Sequence, residues 1–338
     1  MISAHYDSIH IVRKSAAGSE ASSGDSPDLD PEASAAEPIA PGVSDDGSGI
    51  AAVLELARVM SQYQFRATIV FIAFDAEEYG LIGSSLYAAK AAREKHHIDG
   101  VLNNDMIGTD VSGDGRAENR RVRVFSEDPA DSPSRGLARY IKETAERYVP
   151  SMTVDLAFRH DRFQRGGDHT SFNHEGFPAV RFTSAAENYA NQHSATDTFA
   201  NASPSYATRV ARVNAAALAS LAFAPQAPDV TRIARTGLLA GMPIANLARG
   251  KSGYAAQLRW KSESPEPDLA GYNILIRSTL APLWEREIFV GNVQEYLMEG
   301  VSIDDVIFGV QAVDQQGHAS LVSPYLATPQ PKVSYQVQ

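Results

Sequence analysis

The chain has 338 residues, 43% of them hydrophobic, so two domains are the expectation and cores are affordable. With 41 acidic against 30 basic residues its net charge is -11, which excludes the broad basic face that nucleic acid requires. It has no cysteine, which excludes thiolate metal sites, thiol nucleophiles and disulfides.

No apolar run reaches the roughly 18 residues of a transmembrane helix, and no signal peptide is visible. Met1 to Ala4 reads as the end of a core strand leading into His5-Tyr-Asp7, followed by a second short apolar run from Ile9 to Val12. So abrupt an opening carries the expectation that further strands, and an export signal, lie upstream of Met1. His5 would then sit near a frayed terminus. Residues 14–42 change character. Glu20, Asp25, Asp28, Asp30, Glu32 and Glu37 stand against Lys14, with almost no large apolar side chains. Such a composition buries too little to order itself, so a flexible surface insertion is expected, with a lid as the alternative.

Ser44-Asp-Asp-Gly-Ser-Gly49 opens a helix in which Ile50, Val53, Leu54, Ala57 and Met60 recur at helical spacing. Asp46 and Ser48 read as caps, and Asp45 and Asp46 lie at the positive end of the helix dipole. The run Ile69 to Phe74 reads as a buried strand that ends in Asp75-Ala-Glu-Glu-Tyr-Gly80. It would deliver carboxylates to the carboxyl edge of a sheet, where open α/β folds bind ligands. Glu77 and Glu78 are adjacent and cannot point the same way. One can bind a metal while the other handles a proton, or the pair is a solvated turn.

A helix is expected over 82–94, then a strand at Val101 and Leu102 that ends in Asn103-Asn-Asp105. An amphipathic helix follows over 134–148, with Leu137, Ile141 and Ala145 on one face. Gly166 to Phe172 enters a short helix, and Pro178 to Phe182 is a strand. Asn188 to Thr198, with His193 and Asp197, is a polar loop, and a helix over 203–223 closes the unit. Strands alternating with helices predict a doubly wound α/β domain over 1–224, its sheet mostly parallel with helices on both faces. From Thr231 the texture is strands only. Gln257 to Trp260, Tyr272 to Ile276 and Val306 to Val313 alternate with period two, and Asp314 to Gly317 is a turn. An all-β sandwich with a buried tryptophan is expected over 229–328.

His5, Asp45, Glu77, Glu78, Asp105 and His193 all fall at predicted strand ends, helix starts or loops of the first domain. Imidazoles mixed with carboxylates suit zinc and related divalent ions. Five ligands exceed one tetrahedral zinc with an open position, but suit two ions sharing a carboxylate. The remaining carboxylate would then be a general base.

These motifs, with Gly167-Asp-His-Thr-Ser-Phe172 and His193 through Thr198, stand in an order that resembles the co-catalytic di-zinc aminopeptidases. That family includes bacterial leucyl aminopeptidases and related glutamate carboxypeptidases, and the likeness covers about residues 1–224. The resemblance implies two zinc ions bridged by Asp45, with His5 and Asp105 completing one site and Glu78 and His193 the other. It implies Glu77 as general base, Asp7 as the carboxylate orienting His5, and a cis Asp45–Asp46 peptide. It implies peptide substrates and a secreted or periplasmic protein. Asp168 is either a helix cap or a support for the site. Tyr189, four residues before His193, is the candidate for holding the reacting carbonyl oxygen. Arg162, Arg165 and Arg181 are either surface residues or partners for a substrate carboxylate. His10, His96, His97, His160, His174 and His318 read as structural or solvated.

Leu258-Arg-Trp260, Pro267 to Tyr272 and Phe308 to Asp314 resemble a fibronectin type III module. The likeness implies a spacer or a contact with substrate, partner or cell envelope. Two alternatives stay open: an inactive peptidase-like adhesion protein, and a carboxypeptidase or glutaminyl cyclase on the same scaffold.

Overall fold

Six short strands make the sheet on which the functional residues stand. In the computed structural model, residues 1–11, 39–160, 166–237, 239–262 and 266–326 are described. Residues 14–38 of the expected insertion, with Arg162 and Arg165, lie outside them. The chain divides into two compact units, Met1–Gln64 with Ile69–Leu218, and Phe65–Thr68 with Ala219–Gln338.

The first unit runs β1 (Ile2–His5), α1 (Ser48–Met60), β2 (Phe71–Phe74), α2 (Ile82–Arg93), β3 (Val101–Asn104), β4 (Arg121–Ser126), α3 (Pro133–Tyr148), β5 (Thr153–Phe158), α4 (Asp168–His174), β6 (Ala179–Ser184) and α5 (Pro204–Phe223), whose last residues, from Ala219, are counted with the second unit. The sheet order is β2-β1-β3-β6-β4-β5. Every pairing is parallel except β4 with β6. This is the mostly parallel α/β sheet expected.

All four residues of β1, β3's four and β6's six are buried, as strands covered on both faces must be. The expectation of a frayed His5 is corrected here. β1 is paired with β2 on one side and β3 on the other, and His5 lies opposite Phe74 at 1% exposure. Two paired neighbours hold a strand whatever its place in the sequence. Strands β4 and β5 were not anticipated. Their signal was present: Val122 and Val124 alternate with Arg121 and Arg123, and Val154 and Leu156 with Thr153 and Asp155.

In the second unit, β7 (Thr231–Ile233) pairs with β8 (Pro243–Ala245). Strands β9 (Leu247–Arg249), β10 (Ala255–Arg259), β11 (Leu269–Ser278), β12 (Arg286–Phe289), β13 (Glu295–Glu299), β14 (Val306–Asp314) and β15 (Ser323–Pro324) form two antiparallel sheets, ordered β13-β10-β9 and β12-β11-β14-β15. Leu258 and Trp260 from one side meet Tyr272, Ile274, Phe308 and Val310 from the other in a common core, which is the sandwich expected. Trp260 and Tyr272 pack edge-on, with centroids 5.3 Å apart. His318 is structural, as its Nδ1 lies 2.8 Å from the Asp314 carboxylate that organises the turn.

Ile274 is fully buried in that core, so Ile274→Ala should cost about 2–5 kcal/mol. Both tryptophans, Trp260 and Trp284, lie in this unit, so a urea titration followed by their fluorescence should show an earlier midpoint.

Candidate metal centre

The carboxyl ends of β1, β2 and β3 are neighbours in the sheet, and each ends in a polar side chain. β1 ends at His5, β2 leads through Asp75 to Glu77 and Glu78, and β3 leads to Asp105. The bend before α1 adds Asp45, and the loop after β6 adds His193. His5 Nε2 lies 3.2 Å from Asp45 Oδ1 and 3.9 Å from Asp105 Oδ1. His193 Nε2 lies 3.1 Å from Asp45 Oδ2 and 2.9 Å from Glu78 Oε1. Asp45 thus presents one oxygen to each imidazole. Three overlapping groups result: His5 with Asp45 and Asp105, Asp45 with Glu78 and His193, and His5 with Glu77 and Glu78. Within each, the potential ligand atoms lie no more than 4.8 Å apart.

A second layer fixes these side chains. Asp197 Oδ1 and Oδ2 accept from the amides of Ser44 and Asp45 at 2.8 and 3.0 Å. Asp46 turns away from the cluster. Its carboxylate accepts from the amides of His5, Gly49 and Met106 at 3.3, 3.0 and 3.2 Å, tying together β1, α1 and the end of β3. The acceptance from Gly49 caps α1, while Ser48 instead donates to the Ser44 carbonyl. The Asp45–Asp46 peptide is cis. Ala76, Met106 and His193 have φ of 57°, 61° and 55°, a left-handed region that costs a non-glycine residue on the order of 1 kcal/mol. All three belong to segments that carry the cluster.

Asp7 lies beside the His5 ring, as expected, and has a further task. The His5 ring contact goes to its main-chain carbonyl, 3.1 Å from Nδ1, with the carboxylate at 3.5 Å. The Asp7 carboxylate accepts from the amides of Glu77 and Glu78, at 3.1 Å each. A carboxylate at that position satisfies the turn that presents the glutamate pair. Tyr189 is not in the cluster; its hydroxyl donates to Glu187 Oε1 at 3.1 Å. Asp168 is buried at 1% exposure at the start of α4, in the field of His5 and Asp105. Arg181 corrects the surface reading. It is 1% exposed, and its Nη2 lies 3.0 Å from Asp105 Oδ1. His96, His97, His160 and His174 are solvated, each more than two-fifths exposed. Asp197 and Arg181 are the supporting residues that the sequence did not assign. A buried arginine on a strand of such a sheet was the available signal.

The donor set fits a divalent metal on two grounds. His5 Nε2, Glu78 Oε1 and His193 Nε2 are buried without a hydrogen bond, despite their close carboxylate neighbours. Buried nitrogen and oxygen atoms gathered this closely, with no hydrogen-bond partner, are the kind a bound cation satisfies. The charges lead to the same conclusion. Burial pushes the carboxyls of Glu77 and Asp46 well above the usual range, with Asp105 adding to each. Burial also raises Glu78, against the pull of His193. Burial opposes charge on His193, but Asp45 and Glu78 outweigh it and raise its pKa to about 9. Protonated imidazoles here take the part that divalent ions would take, and the carboxylates exceed what two imidazoles and Arg181 can balance.

The fold and the cluster together define an α/β protein organised around a metal centre. The profile of Peptidase family M28 matches residues 1–218 of the 338, and the chain belongs to that family. A "Probable zinc metalloprotease" of Pyrenophora tritici-repentis (strain Pt-1C-BFP) is 34% identical over 313 residues, covering 84% of this chain and 62% of its own length. A "Probable zinc metalloprotease" of Pyricularia oryzae is 36% identical over 315 residues, with 84% and 60% covered. The chain thus spans about three-fifths of the length of these curated relatives. Among solved structures, the aminopeptidase from Aneurinibacillus sp. strain AM-1 is 26% identical, with 72% of this chain and 45% of that one covered and a TM-score of 0.47. The Legionella pneumophila LapA aminopeptidase is 24% identical, with 66% and 51% covered and a TM-score of 0.48.

Because Asp197 holds Asp45 by two amides, Asp197→Ala should weaken zinc binding about 10–100-fold in a competition titration with a chromogenic chelator. The chelator-treated protein should also respond to pH. A histidine whose folded pKa is raised stabilises the fold fully below its unfolded value and loses that contribution as pH rises through the folded one. For His193 the window runs from 6.5 to about 9. Thermal unfolding of the stripped protein should therefore weaken across that window, and saturating zinc should restore it; a flat or rising stripped profile contradicts the assignment.

Proposed function

We propose that this chain is a zinc aminopeptidase that binds two ions and removes the N-terminal residue of peptides. The observation that carries the reading is the sharing of Asp45 between two ligand groups, with His5 and Asp105 on one side and Glu78 and His193 on the other. The relatives' names support a zinc metalloprotease, and the order of the sequence motifs supports the aminopeptidase reading. His5, Asp45 and Asp105 would hold one ion, and Asp45, Glu78 and His193 the other. Bound there, the ions supply Lewis acidity and lower the pKa of water into the neutral range.

The chain's own residues do the rest. Glu77 is the general base. Its carboxyl is driven up by burial and by Asp105, away from an ordinary solvated glutamate and toward values at which a carboxylate accepts a proton readily. A Glu77 carboxylate oxygen takes the proton of the attacking water and returns it to the departing amine nitrogen. Asp7 holds the Glu77 and Glu78 amides, so the base and its neighbour keep fixed, separate directions. Arg181 holds Asp105 against rotation. The second unit, by its likeness to a fibronectin type III module, takes the role of a contact with substrate, another protein or the envelope of an exporting cell.

The test is Glu77→Gln. Hydrolysis of leucine p-nitroanilide should fall about 10²–10⁴-fold, with two equivalents of zinc retained. Full activity sinks the assignment of Glu77. Fewer than two equivalents in the reconstituted wild type favours an inactive binding protein. Cleavage of the N-acylated substrate as fast as the free amine removes the aminopeptidase specificity.

A further inference from the structure

A cavity of about 320 Å³ opens beside the centre, with Arg116, Arg123, Asp114, Glu187 and Tyr189 in its wall. That is room for one side chain. Its relation to the centre follows from strand register. Asn104 on β3 stands opposite Phe182 on β6, so Asp105 is level with Thr183. Thr183 in turn stands opposite Arg123 on β4. Two strand spacings separate Asp105 from Arg123, about 10 Å. The faces agree as well. Arg181 and Thr183 point to one face of β6, being two residues apart, and cross-strand partners share a face, which puts Arg123 there too. Arg181 reaches the Asp105 carboxylate, so that carboxylate is on the same side.

The charges in the wall are not equivalent. Glu187 has a side-chain exposure of 2%. Its Oε1 accepts from Arg123 Nη1 at 3.2 Å and from the Tyr189 hydroxyl at 3.1 Å. It is nearly covered, and its Oε1 is taken up by these two donors. Asp114 is engaged by the Ser112 hydroxyl and the Arg116 amide. Arg123, by contrast, is 34% exposed, and among the described residues the one hydrogen bond of its guanidinium is that from Nη1 to Glu187. A fork donor with one prong anchored by a buried carboxylate is preorganised for a second carboxylate. Arg181 does not compete, being fully buried on Asp105.

We propose that Arg123 determines specificity: its guanidinium receives a carboxylate of the substrate in the cavity beside Asp105. This rests on the peptidase reading above. Two sources carry that chemistry, the side chain of an N-terminal aspartate or glutamate and the α-carboxylate of a dipeptide.

Calorimetry on the zinc-loaded Glu77→Gln protein, alone and with Arg123→Met or Arg123→Lys added, separates them with turnover suppressed. Glutamic acid α-amide carries only the side-chain carboxylate, leucyl-glycine only the α-carboxylate, and leucinamide and leucyl-glycinamide neither. At least one acid should bind about tenfold or more tightly than its uncharged counterpart. Arg123→Met should erase that preference and leave the amides unchanged; Arg123→Lys should keep only part of it, because a point charge lacks the fork. The acid that shows the preference names the source. Since Arg123→Met strands the Glu187 carboxylate, the double variant with Glu187→Gln is measured beside it and should give the same loss. Equal binding of acids and amides, or a preference that survives in both variants, overturns the proposal. Failure of the peptidase reading looks different: the wild type then cleaves no aminoacyl p-nitroanilide, whatever the binding data give.

Discussion

One carboxylate set between two imidazoles is the constraint on which the centre depends. Asp45 meets His5 through one oxygen and His193 through the other, at 3.2 and 3.1 Å. Those three residues come from the first strand, the bend before α1 and the loop before α5, so one side chain draws together segments nearly 190 positions apart. A buried carboxylate tolerates that position only when its charge is balanced and its backbone is held. The balance comes from the two imidazoles, which hold the Asp45 carboxyl well below the usual range against the effect of burial. The hold comes from Asp197, whose two oxygens take successive amides of the bend.

The neighbouring aspartate shows why the order Asp45-Asp46 matters. Asp45 faces the cluster and Asp46 faces away, yet Asp46 accepts from amides of β1, α1 and the end of β3. One residue supplies lone pairs for a cation and the next ties the scaffold behind it. Gly49 makes this possible, because a Cβ there would come within 2.5 Å of Asp46 Oδ2 and 2.7 Å of the Asn104 carbonyl. Similarly, Glu77 and Glu78 share one anchor, the Asp7 carboxylate, and diverge beyond it. Glu78 reaches the group of Asp45 and His193, while Glu77 groups only with His5 and Glu78.

Much of this was legible before the structure. The apolar run ending in Asp75-Ala-Glu-Glu-Tyr-Gly80 marks a strand with acids at its carboxyl end, and Ser44 to Gly49 marks a tight entry to a helix. The members of the cluster could be picked out because imidazoles and carboxylates at strand ends are the residue types that a cation would need. Support was harder to read. Asp197 and Arg181 act through backbone amides or through another side chain, and such partners are set by register, which sequence spacing does not encode. β4 and β5 were overlooked because Arg121, Arg123 and Asp155 make their alternation look like solvated loop, although their valines are buried. The His5 terminus looked frayed because sequence shows where a strand lies in the chain, not that it is central in the sheet.

The overlooked strand is also the one that brings charge selection near the chemistry. Along the face of the sheet, charges alternate: Asp105, then Arg181, then Glu187, then Arg123. Arg181 bonds Asp105 and feels Glu187, and Glu187 bonds Arg123. In a chain with a net charge of -11 and a cluster rich in carboxylates, an acidic ligand approaching the centre would be repelled. An alternating series answers that repulsion locally. Each buried charge is neutralised by the next, so that the outermost member, partly exposed, can present positive charge about two strand spacings from Asp105. The same series explains why Arg181 is wholly buried and Arg123 is not. The inner arginine is consumed in holding a carboxylate of the centre, and only the outer one keeps donors for something that arrives from solution.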